Sequence, residues 1–180
     1  MKLHIGGTER KEGWTVMNLV HGPCVDLLGS LVDVDKIVGH QSCECIYISH
    51  VLEHLNQEER FQALRRCWYV LQPGGELYIG VPDLKALAEI IMDPATNIVG
   101  QRGVNNILFG GEGQPEIGQY NMHRYGYTQE LLADDLRTAG FVAPCAVKSF
   151  GIFNDCTDYE YAGRRVSLNM IAHKPKGNPQ

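Results

Sequence analysis

The chain has 180 residues, a length that suits one domain with a sizeable buried core. Hydrophobic residues make up 44% and charged residues 21%, the balance of an ordinary globular protein. The net charge of -5 argues against a general nucleic-acid-binding or acidic-membrane-binding surface, and no apolar run approaches the length of a membrane span.

The amino terminus and the cysteines favour a cytoplasmic protein. Residues 1–14 contain a lysine without an apolar stretch behind it, so we expect no signal peptide. Six cysteines are spread along the chain, which favours reduced thiols and no disulfide. Cys43 and Cys45 could be metal ligands, but they share one face of a predicted strand and lack a second cysteine pair.

The first part of the chain predicts three short strands, each of which ends in turn or polar residues. They are Lys2–Ile5, Thr15–Leu19 and Glu44–Ser49. Only residues 6–13 separate the first two, which is too short a connection for the helix that normally joins parallel neighbours. We therefore predict that this helix is missing.

The middle of the chain predicts a helix, a strand and a second helix. Apolar residues recur at helical spacing in Gln57–Leu71, and the QPGG that follows is a stop signal. Glu76–Val81 is typical of a strand. Pro82 and Asp83 then open an amphipathic helix that ends near Asp93.

The last part of the chain begins with a segment of different character. Residues 93–127 are rich in Gly, Asn and Pro and show no sustained period, so we predict a lid or insertion there within a single domain, 1–180. Thr128–Ala139 returns to helical spacing. Val142–Phe150 and Ser167–His173 predict two closing strands.

This order of elements predicts an α/β fold built on a mostly parallel sheet with helices on both faces. Ligands of such sheets bind at the carboxyl ends of the strands. The residues that follow Ile5, Leu19, Ser49 and Val81 are therefore the places to look for function.

Two of these strand ends carry candidate functional residues. Gly6 and Gly7 would let the backbone approach a ligand, although a tight turn explains them equally well. A helical turn that starts near His50 would project His50, Glu53 and His54 from one face. The alternative is that Glu53 and His54 only brace the helix. HVLEH also matches the HxxEH pattern of some zinc peptidases, but its predicted place at the end of a parallel strand disfavours that function.

Several motifs together resemble one family. They are LHIGG, VDLL, IYISHVLEHL, ALRRCWYVLQPGGELYIGVPDL and HRYGYTQELLADDLRTAGF. Over nearly its whole length the chain is similar to the class I methyltransferases that use S-adenosylmethionine (SAM), specifically to a small branch close to the type 11 methyltransferase domain. The resemblance implies a Rossmann-like sheet, SAM as the cofactor and methyl transfer to a small-molecule or sugar-like acceptor.

The resemblance also implies a cofactor site, from which this chain departs at three positions. Thr8 stands where the family's GxG loop has its second glycine. Asn18 stands where a carboxylate binds the ribose, and an amide lacks that charge. Ser30 stands at an acidic position near the adenine, with Asp26 as the nearest carboxylate upstream. The predicted cofactor-binding residues are Gly6, Gly7, Thr8, Asn18, Asp26, Ser30 and Ser49.

The predicted catalytic residues are His50, Glu53, His54 and His123. His50 or His54 could remove a proton from the acceptor. The LEH segment also resembles one that supplies ligands to a divalent metal in some O-methyltransferases, and His123 resembles their more distant histidine; the candidate ligands are Glu53, His54 and His123. Alternatively, His123 belongs to a lid over the acceptor. The three departures at the cofactor positions motivate a second class of function, a non-catalytic binding or assembly domain.

Overall fold

A computed structural model describes residues 1–110 and 121–177 of the chain. Its strands are β1 (Lys2–Ile5), β2 (Trp14–Asn18), β3 (Leu27–Leu28), β4 (Cys43–Ser49), β5 (Leu71–Pro82), β6 (Val142–Val147), β7 (Glu160–Tyr161), β8 (Arg164–Arg165) and β9 (Ser167–His173). Its helices are α1 (Val34–Val38), α2 (Gln57–Val70), α3 (Leu84–Met92), α4 (Ile98–Phe109) and α5 (Gln129–Thr138). None of these helices is long and apolar enough to cross a membrane.

Seven strands form one sheet in the order β3-β2-β1-β4-β5-β9-β6. Strands β1 to β5 pair in parallel, whereas β9 runs antiparallel to both β5 and β6. The predicted mostly parallel α/β sheet is confirmed, and residues 6–13 contain no helix, as the short connection predicts. The strand order reverses direction between β1 and β4, so a ligand crevice is expected at the carboxyl ends of those two strands.

Three helices cover one face of the sheet. Alternate residues of the central strands point to this face because side chains of a strand alternate between the two faces. There they form one buried cluster with apolar residues of α1, α2 and α5. Its members include Leu3, Ile5, Ile46, Ile48, Leu77, Val34, Leu64, Cys67, Leu132 and Leu136.

The opposite face of β1 and β4 carries His4 and Tyr47, which pack against aromatic rings of the loop after β6. The ring centroid of Phe153 lies 4.0 Å from that of His4 and 4.9 Å from that of Tyr47, and Phe150 lies 5.3 Å from Tyr47. The expectation of helices on both faces is wrong at this place. Because the connections that flank β2 are too short to contain a helix, a loop supplies the apolar cover instead.

The segment predicted to lack regular structure contains helix α4. Asn97 caps its first turn, accepting from the N–H groups of Val99 and Gly100 at 3.0 Å. Val104 of this helix is buried in a small cluster with apolar residues of α3 and with Val166. Packing against α3 thus stabilises a helix whose glycines obscure the apolar period. Its predicted role as a lid stays a prediction, and residues 111–120 lie outside the described part of the chain.

Two boundaries also differ from the prediction. Strand β5 begins at Leu71, directly after α2, because Leu71 pairs with Cys43 of β4. The pairing register then shifts between Cys43 and Cys45, so the QPGG segment lies within the irregular start of a strand. The hairpin of β7 and β8 has no signal in the sequence pattern.

We predict that His4 makes the stability of the protein depend on pH. This side chain is 1% exposed, and burial lowers its pKa from 6.5 to about 4 despite the nearby Asp155 carboxylate. Between those two pH values the unfolded state binds the extra proton. The free energy of unfolding should therefore fall by up to about 3 kcal/mol as the pH drops through that window.

Urea denaturation of the wild type and of His4→Phe at several pH values between 4 and 7 tests this. The His4 ring nitrogens have no hydrogen-bond partner among the described residues, so phenylalanine can keep the ring contacts. The variant should lose this part of the pH dependence. Equal pH dependence in the two proteins would contradict the prediction.

Candidate active site

The chain turns sharply at the end of β4 and buries an acidic residue. His50 adopts the left-handed conformation with φ of 52°, and its N–H donates to the Gly80 carbonyl at 3.0 Å. A 3-10 turn follows at Leu52–His54 and buries both Leu52 and Glu53. His50 lies before this turn, and the sharp bend at its backbone, in place of the predicted helical turn, sets its ring 3.2 Å from Glu53.

Glu53 is the centre of the site. It is fully buried, with Oε1 3.2 Å from His50 Nδ1 and 3.9 Å from His123 Nε2. Burial alone would raise the pKa of Glu53, but the contact with His50 and the fields of His54 and His123 outweigh it and lower that pKa. Glu53 is therefore a buried carboxylate that faces imidazoles on several sides.

His123 reaches the site through the segment that precedes α5. Its N–H donates to the Phe109 carbonyl at 3.0 Å, while the N–H groups of Arg124 and Tyr125 donate to the Glu53 carbonyl at 2.8 and 3.3 Å. Its ring packs edge-on against His54, with centroids 4.7 Å apart. Burial lowers the pKa of His123, which favours the neutral ring at neutral pH. The structure thus brings the four predicted catalytic residues together, and their roles stay predictions.

His50 uses one ring nitrogen in a hydrogen bond and places the other beside Glu53. Its Nε2 lies 2.9 Å from Ser167 Oγ, and the Ser167 hydroxyl donates its hydrogen to the Cys156 carbonyl at 2.5 Å. Nε2 must therefore be the donor, while Nδ1 faces Glu53. His50 is a partner of the buried carboxylate and is not free to accept a proton from a ligand. No sequence pattern points to Ser167, because it lies 117 residues from His50 along the chain.

His54 differs from His50 because it has an available lone pair. Its Nδ1 lies 3.3 Å from the Met122 carbonyl, which can only accept, so Nδ1 carries a hydrogen. In the neutral ring the lone pair is then on Nε2, which has no hydrogen-bond partner in the described ranges. This makes His54 the better placed of the two predicted bases.

Glu53, His54 and His123 also form a group that could hold a metal ion. One donor atom from each lies within 4.8 Å of the other two. Donor atoms on a tetrahedral ion lie about 1.6 times the metal–ligand bond of about 2.1 Å apart, so the three side chains would have to move closer together to share one ion. Two imidazoles and one carboxylate suit zinc or a similar transition metal better than magnesium.

The predicted glycine turn after β1 lies on the other side of the crevice. Gly6 has φ of 81°, and a Cβ added there would overlap Val51 Cγ2. A Cβ at Gly7 would lie 2.6 Å from the His4 ring. Packing within the protein thus accounts for both glycines. The N–H groups of Gly7 and Thr8 have no partner among residues 1–110 and 121–177, so they could donate to a ligand.

A pocket of about 190 Å³ opens at the carboxyl ends of β1 and β2. Ligand pockets usually measure about 300 to 1,000 Å³, so this one is small. Asn18 lines it, donating through Nδ2 to the Gly7 carbonyl at 3.0 Å and accepting weakly from Val20 N at 3.5 Å. The pocket is lined by Gly7, Thr8, Asn18, Val20, His21, Gly22, Pro23, Cys24 and Val25.

The other predicted cofactor residues do not line this pocket. Asp26 accepts from the N–H of Val16 at 2.9 Å and pairs with Arg10 at 3.1 Å, so its carboxylate braces the middle of β2. Ser30 caps the following 3-10 turn, and Ser49 ends β4. The site therefore fits a SAM-like ligand by its position and its backbone donors, but the described residues that line the pocket include no acid that would hold a ribose.

Comparison with known proteins agrees with this fold. Residues 27–79 match the family model described as a methyltransferase domain. No curated protein matches the chain in a sequence search. The motif resemblance to class I SAM-dependent methyltransferases is thus confirmed, and the chain has their fold.

Solved structures of methyltransferases share the fold at low sequence identity. A SAM-dependent methyltransferase of Methanosarcina mazei has a TM-score of 0.59 and 14% identity, with 97% of this chain and 92% of that chain covered. The 1,6-didemethyltoxoflavin-N1-methyltransferase of Burkholderia thailandensis, solved with its substrate and S-adenosylhomocysteine, has a TM-score of 0.59 and 16% identity, with coverage of 97% and 71%. A SAM-dependent methyltransferase of Archaeoglobus fulgidus has a TM-score of 0.58 and 15% identity, with 96% of this chain and 85% of that chain covered. The chain spans only 61% of another matching structure, from Bordetella parapertussis.

We predict that Gly6→Ala destabilises the protein more than Gly13→Ala. Both glycines have φ near 80°, so alanine costs about 1 kcal/mol of backbone strain at either position. At Gly6 the new methyl group also meets Val51, which adds about 1–3 kcal/mol, whereas nothing lies within 4 Å at Gly13. Urea denaturation measures both costs, and equal values would contradict the close contact between the β1 turn and Val51.

Proposed function

We propose that the protein is a SAM-dependent methyltransferase that acts on a small-molecule or sugar-like acceptor. The observation that carries this proposal is the convergence of His50, Glu53, His54 and His123 at the carboxyl end of β4. The glycine turn and its pocket lie across the crevice, at the carboxyl ends of β1 and β2. The domain match and the shared fold support a SAM-dependent methyltransferase in general terms.

The residues of this chain have two tasks in such a reaction. Bound SAM supplies a methyl group that its sulfonium already activates. The N–H groups of Gly7 and Thr8 would hold the cofactor, with Asn18 Oδ1 as a further acceptor. The remaining task is to align the acceptor and take its proton.

His54 is the proposed base. Its Nε2 lone pair can accept the acceptor's proton, and the charged ring that results lies beside the Glu53 carboxylate. Glu53 would thus stabilise the imidazolium, as buried acids do for catalytic histidines elsewhere. His50 and Ser167 fix the position of Glu53 on its other side.

A divalent metal is a second way to use the same residues. Glu53, His54 and His123 would hold it. A metal there would supply Lewis-acid activation of an acceptor hydroxyl, and His54 would then be a ligand and not a base.

A small-molecule acceptor agrees with the substrate bound by the Burkholderia thailandensis structure, and the low basic charge of the chain disfavours a nucleic acid. We keep the cytoplasm as the proposed compartment because six cysteines without an expected disulfide suit a reducing environment.

The second candidate function is a non-catalytic domain that binds or assembles. The observation that favours it is the cofactor pocket itself, where Asn18 replaces a carboxylate and donates its amide to the protein's own Gly7 carbonyl. Cofactor binding separates the two candidates.

We predict that SAM and S-adenosylhomocysteine bind with dissociation constants below about 1 mM, as measured by isothermal titration calorimetry. Thr8→Tyr, which places a large ring in the pocket, should weaken binding at least about tenfold, which corresponds to about 1.4 kcal/mol. Thr8→Ala, the matched control, removes only the hydroxyl and the γ-methyl group and should bind almost normally. No binding to the wild type at millimolar cofactor would exclude the enzyme function and favour the binding domain.

We predict that His54→Gln lowers methyl transfer by about 100- to 10,000-fold while cofactor affinity stays unchanged. Release of S-adenosylhomocysteine, measured across a panel of hydroxyl and amine acceptors, reports the rate. His40→Gln is the control, because His40 packs on Tyr69 and not in the site. Full transfer by His54→Gln would remove the base assignment. Activity that a chelator abolishes and zinc restores would make His54 a metal ligand.

A further inference from the structure

Arg60 is a buried arginine outside the site, on the helix α2 that follows it. Its side chain is 4% exposed. Nη1 donates to Tyr127 Oη at 2.8 Å and to Asp135 Oδ2 at 3.2 Å, and Cζ lies 3.4 Å from the ring centroid of Tyr125. The Tyr127 hydroxyl donates in turn to Asp135 Oδ2 at 3.1 Å. The cation therefore binds two aromatic residues of one segment and an acid of α5.

The two tyrosines belong to the same short segment that carries His123. The N–H of Tyr125 donates to the Glu53 carbonyl, and the Tyr127 carbonyl accepts from Leu84 N at 2.9 Å. Only one residue separates His123 from Tyr125. Contacts that hold the backbone at Tyr125 therefore also restrain His123, two residues earlier in the same segment.

The energetics of a buried ion pair favour a role in positioning. Removal of Arg60 and Asp135 from water costs about as much as their attraction returns, so such pairs contribute little net stability. They do require one geometry, because the planar guanidinium stacks and donates in fixed directions. Two apolar side chains of similar volume would pack in the same space, but they would not impose this one geometry.

We propose that Arg60 is a positioning residue, which holds the segment 123–127 through Tyr125 and Tyr127 so that His123 stays against Glu53 and His54. The contribution of Arg60 to methyl transfer rests on the proposed function. The position that Arg60 gives to His123 does not depend on that function, and it is tested without cofactor or acceptor.

The decisive variant is the double substitution Arg60→Met and Asp135→Asn. It removes the cation and its partner charge together, so no unpaired charge remains in the interior, and the amide oxygen introduced on α5 can still accept from Tyr127. Arg60→Lys keeps the charge but loses the planar stacking on Tyr125. The matched control is Arg66→Met, because Arg66 lies on the same helix and pairs with Asp33 and Asp35 away from the site.

The measurements are imidazole signals in carbon–proton correlation spectra and amide hydrogen exchange. His54 and His123 shift each other's ring signals because their rings are 4.7 Å apart. In the double variant these signals should move toward solvent-exposed values, and exchange of the Arg124 and Tyr125 amides should accelerate at least about tenfold. Arg60→Lys should show a smaller change in the same direction. His40, which packs on Tyr69, is the internal reference.

A double variant that is folded and keeps both imidazole signals and both amide rates at wild-type values would overturn the proposal. Equal changes in Arg66→Met would also overturn it, because the effect would then come from general loosening of α2. Should Arg60→Met alone fail to fold, the charge-balanced double variant still decides. Failure of SAM to bind would reject the proposed enzyme and leave this result unaffected.

Discussion

The buried carboxylate of Glu53 is the constraint on which the site depends. A carboxylate removed from water is costly unless positive or hydrogen-bonded groups surround it. Here the surrounding groups are imidazoles from the end of β4 and from the segment before α5. Those two segments are far apart in the sequence, and they meet at this one carboxylate. The Glu53 carbonyl also accepts two backbone hydrogen bonds from the second segment. The side chain and the backbone of Glu53 therefore both contact that segment.

The short connection between β1 and β2 explains most of what distinguishes this molecule within its fold. Without a crossover helix, one face of β1 and β4 is covered by the rings of Phe150 and Phe153. The same shortening leaves the pocket at the carboxyl ends of β1 and β2 lined largely by the loop 20–25. Several polar groups that could bind a ligand form hydrogen bonds within the protein, among them the Asn18 amide and the Asp26 carboxylate.

The sequence predicts the parts of the fold whose signals are local. Strands β1, β2, β4 and β9 and helices α2, α3 and α5 follow from periodicity and turn residues, and the structure shows Asn56 and Thr128 capping α2 and α5. Helix α4 does not, because glycines dilute its pattern and its stability comes from packing against α3. The meeting of His50, Glu53 and His54 is predictable from their spacing. The engagement of His50 with Ser167 is not, because it depends on the antiparallel pairing of β9 with β5.

The contact between Gly6 and Val51 links two places that otherwise have different tasks. Val51 precedes Glu53 by two residues, and its methyl group fills the space left by the missing side chain of Gly6. A ligand that moved the β1 turn would therefore press on Val51, at the start of the 3-10 turn that carries the acid. Any effect of such a ligand on the histidine cluster would be reciprocal, because a coupling free energy between two sites acts equally in both directions.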